Sequence, residues 1–307
     1  MTYTGKRTSA NWPIAAAMLP FPDSQDADEY TWRKQLAQVR FEGFTAVDLT
    51  DNWVRVGDLS RERLALLKGL LKEYGLAPSA ISAIRRSVID PVGWEDNLEY
   101  SHRVIDAAAF LGSEIVSVGL HRPLLGAQAH ALWFWTQPGP VDSRDPDNWH
   151  RAVTRLRELG EHAVSLGLLL SLEMYEDTLL GTADSAVRLV TDIGMSGVGL
   201  NPDLGNLYRL HRPIEDFLVS VEKCMPYANY WHMKSYSRDV NAEGHVTTVP
   251  APMAFGTANY REAIQIAIDA GFDGPMCVEN YGGDGLTVSA ENMRYIRRML
   301  AVALNEI

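Results

Sequence analysis

Short apolar segments alternate with longer amphipathic segments along most of the chain. Residues 12–19 have the near-continuous hydrophobicity of a strand buried on both faces. Residues 30–41 instead place Trp32, Leu36 and Val39 at helical spacing. The same alternation continues to the C-terminus. It predicts strands at 12–19, 46–49, 78–84, 115–120, 168–172, 198–200, 228–231 and 275–278, and helices at 30–41, 61–74, 94–111, 147–166, 182–194, 214–225, 260–270 and 287–303.

Eight strand-helix units in strict alternation require a parallel sheet. A chain of 307 residues with eight units favours closure into one (β/α)8 TIM barrel domain spanning residues 1–307. An open sheet with a nucleotide site is disfavoured, because no G-x-G-x-x-G follows the first strand. Two stretches interrupt the rhythm and are expected to be loop insertions on the active-site face: residues 121–149 after strand 4, and residues 235–257.

Four polar residues stand at the ends of consecutive predicted strands. Glu173, Asp203, His232 and Glu279 each follow an apolar run. In a parallel barrel the carboxyl ends of all strands meet at one face, so these side chains are expected to converge. A single such residue is often only a satisfied polar group at a strand end, whereas four in succession predict a metal site.

The ligand types indicate the metal and its chemistry. Three carboxylates and one imidazole, without a thiolate, favour one divalent ion, with Mn first, Mg or Co as alternatives, and Zn or Fe less favoured. The carboxylates Glu173, Asp203 and Glu279 also exceed the charge of such an ion. One glutamate can therefore move protons beside a metal-polarised carbonyl while the other stays a ligand.

The composition argues against several other classes of protein. The formal net charge of -11 and a pI near 5.2 argue against a nucleic-acid partner. The two cysteines, Cys224 and Cys277, cannot form a disulfide framework, so a cytoplasmic location is expected. The start of the chain lacks a signal-peptide pattern, and no stretch approaches the roughly 18 apolar residues of a membrane helix.

The four polar residues at the strand ends resemble the metal-binding residues of the xylose-isomerase-like superfamily of sugar isomerases and epimerases. The resemblance covers residues 12–304 and implies a small-molecule sugar or glycoside as substrate, and a homo-oligomer. It implies that Glu173, Asp203, His232 and Glu279 bind the metal. Glu173 and Glu279 would also act as acid and base on opposite faces of a cis-enediolate. The segment from His232 to Arg238 is similar to the family's H-x-K-x-x-x-R motif, which implies substrate contacts for Lys234 and Arg238.

Two departures from the family pattern keep a second function open. Asn206 stands where ketose epimerases of the family carry a substrate-binding His, and Ser235 replaces an acid that often follows the lysine. Trp133 and Trp135 could stack a flat aglycone, or simply pack the loop.

The alternative function is that of the large subunit of the C-glycoside deglycosidases. This interpretation implies a lyase that acts on a 3-keto glycoside together with a small second subunit. His121 and His150 would then be candidate acids for the leaving group. The segment from Gly282 to Gly285 includes Asp284, which would repel a phosphate, so a non-phosphorylated substrate is favoured.

Overall fold

Eight parallel strands surround the central axis, as the alternating pattern predicts. The structure, a computed structural model, describes residues 7–307. The bounds of the barrel strands are β1 Ile14–Ala17, β2 Ala46–Thr50, β3 Ala77–Ala83, β4 Ile115–Gly119, β5 Leu169–Glu173, β6 Val198–Asn201, β7 Trp231–Met233 and β10 Met276–Val278. Around the barrel they follow the order β6-β5-β4-β3-β2-β1-β10-β7. The predicted (β/α)8 barrel is confirmed.

The barrel closes between β6 and β7, where the pairing is least regular. A single parallel bridge joins Leu200 to Ala228. The backbone N–H of His232 donates not to a carbonyl but to the side-chain oxygen of Asn201, at 2.7 Å. The Asn201 amide in turn donates to Ser117 Oγ on β4 at 3.2 Å. A side chain therefore completes the hydrogen bonding at this seam.

Helices cover the outside of the barrel and lie close to their predicted bounds. Several begin at the side-chain caps that their sequences supply, including Asp28, Ser60, Asp145 and Thr182. The bounds are α1 Glu29–Phe41, α2 Arg61–Glu73, α3 Trp94–Leu111, α4 Gly126–His130, α5 Pro146–Ser165, α6 Ala183–Ile193, α7 Gly205–Tyr208, α8 Phe217–Cys224, α9 Tyr260–Asp269 and α10 Gly285–Ala303. Among the described residues, no helix combines the length and apolarity needed to cross a bilayer.

Small side chains fill the lower part of the barrel interior. Ala15, Ala17, Ala46 and Ala80 pack there with Ile115, Tyr230 and Cys277. Side chains on a strand alternate between its two faces, so Asp48 and Thr50 share the inward face with Ala46. All three are at most 4 % exposed. A polar layer therefore lies above an apolar base inside the barrel.

The stretch at 235–257 differs from the expected irregular loop. It contains an antiparallel hairpin of β8 Ser235–Val240 and β9 Val246–Ala251, with Ser235 opposite Ala251. Gly244 has a φ of 81° in the connecting turn, a conformation that glycine adopts without steric cost. Between β4 and α5 the chain includes the short helix α4.

Candidate active site

The four side chains predicted to bind a metal lie together at the carboxyl ends of the strands. Glu173 ends β5, Asp203 lies two residues beyond β6, His232 is in β7, and Glu279 directly follows β10. Each is at most 5 % exposed. Ligand atoms of Glu173, Asp203 and His232 lie within 4.8 Å of one another, and His232 Nδ1 is 3.1 Å from Glu279 Oε1. The fold brings all four into one buried cluster.

Asp48, which the sequence analysis missed, orients the ring of His232 from inside the barrel. Its Oδ2 lies 3.0 Å from His232 Nε2 and accepts hydrogen bonds from Tyr230 OH at 2.6 Å and Ser82 Oγ at 2.8 Å. A neutral His232 that donates its Nε2–H to Asp48 directs its Nδ1 lone pair at the cluster. The available sequence signal was a charged residue in the middle of the buried strand 46–50.

The donor set fits a hard divalent cation. His232 Nδ1 and Glu173 Oε2 are buried 3.7 Å apart, and neither has a hydrogen-bond partner among the described residues. His232 Nδ1 also lies 3.8 Å from Asp203 Oδ2. Buried polar atoms are normally paired, and a cation among these atoms would satisfy them together. Three carboxylates and an imidazole suit Mg²⁺ or Mn²⁺.

Lys234 adds a buried positive charge to this cluster. Its ammonium donates to Asp203 Oδ2 and, at 2.5 Å, to Glu279 Oε2, and the residue is 2 % exposed. When Glu173, Asp203 and Glu279 are ionised, a divalent cation and one ammonium balance their charge. Uncompensated charge is costly in a buried site. The charge balance therefore favours a site that holds a divalent cation and the charged Lys234 ammonium at the same time.

The environments of the two glutamates push their pKa values apart in the protein without a metal ion. Burial raises the pKa of Glu173 to about 7, against the attraction of His232 and with the help of Asp203. Burial acts in the same direction on Glu279, but Lys234 and His232 outweigh it and hold the pKa of Glu279 well below its usual range. Titratable pairs with separated pKa values are typical of acid–base sites.

A small cavity lies beside the cluster at the mouth of the barrel. Its free space of about 20 Å³ would hold about one water molecule. His121 lines it, with Nε2 3.7 Å from Glu173 Oε1 and with both ring nitrogens unpaired among the described residues. Burial, together with the charges of Arg85 and Arg209, lowers the pKa of His121 well below its usual value. The cavity wall therefore presents a neutral imidazole.

Asn206 also lines the cavity, next to Glu173. Its amide donates to Glu173 Oε1 at 3.2 Å and to the carbonyl of Met174 at 2.9 Å. The side chain therefore helps to fix the position of the Glu173 carboxylate. Its contact with a substrate stays a prediction.

Arg238 and His150, two predicted substrate contacts, lie away from the cluster. The guanidinium of Arg238 donates to the carbonyls of Tyr208 at 2.9 Å, Leu210 at 2.5 Å and Arg212 at 2.5 Å. It thus ties the hairpin to the loop after α7, because the chain turns into the hairpin before it reaches Arg238. His150 is exposed near the start of α5, on the outer layer of the barrel. The fold brings neither residue to the cluster.

Trp133 and Trp135, the residues predicted to stack an aglycone, pack above a buried arginine. Trp135 is 4 % exposed and donates its indole N–H to Thr248 Oγ1 at 3.2 Å. Trp133 stacks on it with ring centroids 5.1 Å apart. Below them Arg209, fully buried, donates to both carboxylate oxygens of Glu176 at 2.9 Å. Neither tryptophan lines the small cavity, and their contact with a flat aglycone stays a prediction.

Comparison with known proteins agrees with this geometry. A model of the xylose isomerase-like TIM barrel family matches residues 36–299, and the chain belongs to this family. The chain is 22% identical over 241 residues to the D-psicose 3-epimerase of Enterocloster bolteae, covering 76% of this chain and 75% of that protein. The family and this relative support an enzyme that acts on sugars, of the isomerase or epimerase kind.

Solved structures show the same fold. A xylose isomerase-like TIM barrel protein from Mycobacterium smegmatis, solved in complex with magnesium, is 44% identical with a TM-score of 0.92, over 97% of this chain and 100% of that chain. An L-ribulose 3-epimerase is 16% identical with a TM-score of 0.71, over 96% of each chain, a likeness in fold alone.

Proposed function

We propose that this protein is a divalent-metal-dependent isomerase or epimerase that moves a proton at the carbon next to the carbonyl of a non-phosphorylated sugar or keto-sugar. The observation that carries the proposal is the buried cluster of Glu173, Asp203, His232 and Glu279, which lies beside a cavity lined by polar side chains. The family and its epimerase relative support the same reaction class.

Glu173 and Glu279 are suited to divide the proton transfer between them. The strands β5 and β10 lie three positions apart in the ring of eight, on nearly opposite sides of the barrel. Their carboxylates can therefore address opposite faces of a substrate carbon. In one direction Glu279 accepts the proton from one face and Glu173 delivers a proton to the other face. The reverse reaction exchanges the roles.

The other residues of the cluster hold the metal and its ligands. A divalent ion bound by Glu173, Asp203, His232 and Glu279 would supply polarisation of the substrate carbonyl. We favour Mn²⁺, and the magnesium complex of the Mycobacterium smegmatis relative supports Mg²⁺ as the alternative. Lys234 keeps the carboxylates of Asp203 and Glu279 in place through its two hydrogen bonds.

The polar groups of the cavity suit the hydroxyls of a sugar. Thr50 Oγ1 and both ring nitrogens of His121 are buried, line the cavity and have no partner within the described chain. Asp284 caps α10 by accepting a hydrogen bond from the backbone N–H of Thr287 at 3.1 Å. The helix end where a phosphate could bind is therefore already occupied by a carboxylate, which favours a non-phosphorylated substrate.

Deuterium exchange tests the proposal. Purified protein loaded with Mn²⁺ or Mg²⁺ is incubated in deuterated water with a panel of keto-sugars, and NMR follows the carbon next to the carbonyl. We expect exchange with at least one substrate. Glu279→Gln should slow it by about 10²- to 10⁴-fold, whereas Glu243→Gln, at an exposed position of the hairpin turn, should not. No exchange with any keto-sugar, or an unchanged rate in Glu279→Gln, would refute the proposal.

A further inference from the structure

Two histidines meet between the neighbouring helices α3 and α5, on the outside of the barrel. His102 belongs to α3 and His162 to α5. Their Nδ1 atoms are 2.8 Å apart, and the centres of the two rings are separated by 5.0 Å. The buried cluster uses neither residue, so the pair needs an explanation of its own.

Each of the two rings has a carboxylate at its other nitrogen. Glu158 Oε1 lies 3.0 Å from His102 Nε2, and Asp106 Oδ1 lies 3.1 Å from His162 Nε2. An ionised carboxylate can only accept, so both Nε2 atoms carry a hydrogen and donate it. In a neutral imidazole the second ring nitrogen is then an acceptor without a hydrogen. Two acceptors therefore face each other across the 2.8 Å gap.

Facing acceptors cannot pair with each other, so the gap requires a cation between them. A shared proton or a metal ion could supply it. The charge favours a divalent ion, because neutral rings leave the two negative charges of Asp106 and Glu158 uncompensated. Neither carboxylate forms a salt bridge with Lys or Arg among the described residues. Arg103, beside His102 in the sequence, pairs instead with Glu99 and Asp58.

The arrangement is typical of histidines that bind transition metals. A metal-bound imidazole commonly donates its other N–H to a carboxylate, which fixes the ring and makes the metal-binding nitrogen more basic. Both rings of this pair have such a carboxylate. Imidazole suits Zn, Cu and Ni, whereas carboxylates suit Mg and Mn. The pair would therefore prefer a different class of ion from the carboxylate-rich buried cluster.

Helix packing holds the two histidines in place and leaves their rings accessible. Ser101 and Ala163, the adjacent residues, are at most 1 % exposed. The side chains of His102 and His162 are 28 % and 24 % exposed. Tetrahedral zinc places two ligating nitrogens about 3.3 Å apart, so the gap must open by only about 0.5 Å. Water or the flanking carboxylates can fill the remaining coordination positions.

We propose that His102 and His162 bind a zinc-type divalent ion between their Nδ1 atoms, at a second metal site that joins α3 to α5. Glu158 and Asp106 would orient the two rings from their Nε2 sides. This site is separate from the buried cluster and does not depend on the reaction proposed for it.

Zinc stoichiometry tests the site. Wild type and variants are dialysed against one buffered concentration of free Zn²⁺, and elemental analysis gives the zinc content per chain. We expect His102→Gln and His162→Gln each to hold one equivalent less than the wild type, whatever amount the buried cluster takes up. His150→Gln changes an exposed histidine on the same helix as His162 and should match the wild type. Equal zinc content in the wild type and in either pair variant would overturn the inference.

The carboxylates supply a graded test. Glu158→Gln and Asp106→Asn should each weaken zinc binding at this site by about 10- to 100-fold, measured by competition with a chromophoric chelator. Glu161 is exposed and adjacent to His162, but it is not among the hydrogen-bond partners of either ring. Glu161→Gln should therefore bind zinc as the wild type does. An equal loss in Glu161→Gln would overturn the inference, because binding would then follow surface charge alone.

NMR of the wild type provides a test that does not depend on the folding of any variant. Addition of Zn²⁺ should shift the Nδ1 resonances of His102 and His162 together, while both Nε2 atoms keep their hydrogens. An unshifted Nδ1 resonance on either ring would overturn the inference and assign the gap to a shared proton.

Discussion

Replacement of Asp48 by asparagine separates the support of His232 from the metal ligands themselves. One carboxylate oxygen of Asp48 accepts from Ser82 and Tyr230 and lies 3.0 Å from His232 Nε2. The asparagine side chain would retain the shape and one acceptor but lose the charge that holds the imidazole. Loss of such a partner typically costs 10- to 100-fold in metal affinity, or about 1.4–2.7 kcal/mol.

The same substitution should also cost folding stability. The second oxygen of Asp48, Oδ1, is buried without a partner among the described residues. An amide nitrogen in its place would leave N–H donors unpaired, at about 1–3 kcal/mol. Ser82→Ala is the matched control, since it removes one donor to Asp48 and a 3.5 Å contact with His232 Nε2 but leaves the Asp48 carboxylate 3.0 Å from that nitrogen. Its expected stability cost is about 0.5–1.5 kcal/mol, with little change in metal affinity.

Calorimetric titration with Mn²⁺ and urea unfolding of the metal-free proteins measure the two effects separately. The reasoning is refuted if Asp48→Asn is folded and binds Mn²⁺ within twofold of the wild type. It is also refuted if Ser82→Ala weakens binding as much as Asp48→Asn does, because the effect would then follow general loosening of the barrel interior.

Three further substitutions test other parts of the structure. Burial raises the pKa of Asp51 to about 7; the folded carboxyl holds its proton more tightly than the unfolded one, so stability falls as pH rises from about 4 to 7. Urea unfolding should show that Asp51→Asn gains about 2–3 kcal/mol relative to the wild type between pH 5 and pH 8. Arg209→Met leaves the Glu176 carboxylate buried and unpaired, so the midpoint of urea unfolding should fall by an amount equivalent to about 3–5 kcal/mol at pH 7. In Gly119→Ala the new Cβ would lie 2.6 Å from His121 Cε1, so deuterium exchange should slow while circular dichroism stays unchanged.

Hydrophobic periodicity was sufficient to predict the barrel and the convergence of its polar strand ends. Each strand is short and apolar, each helix has a clear face, and parallel closure then places Glu173, Asp203, His232 and Glu279 at one rim without knowledge of side-chain geometry. The ligand cluster follows from topology, so a sequence pattern can anticipate it.

Contacts that depend on where individual side chains point were not predictable in the same way. Asp48 was visible as a charge in a buried strand, but its partner lies 184 positions away along the chain. Arg238 matched a family motif by spacing, whereas the hairpin turns its guanidinium toward the backbone of the 208–212 segment. The hairpin at 235–251 is not predicted, because the stretch interrupts the βα rhythm and lacks a clear alternation of apolar and polar residues.

Because a single parallel bridge joins the β6 and β7 segments, we expect the barrel to open first at this seam. Asn201 replaces a backbone partner there, and Asp203 and His232 stand on either side. A metal ion bound by both Asp203 and His232 would link the β6 and β7 segments directly. Metal binding would therefore stabilise the closed barrel at its least regular strand pair. Hydrogen–deuterium exchange should then slow at residues 228–233 when metal is added, more than in the strands on the far side of the ring.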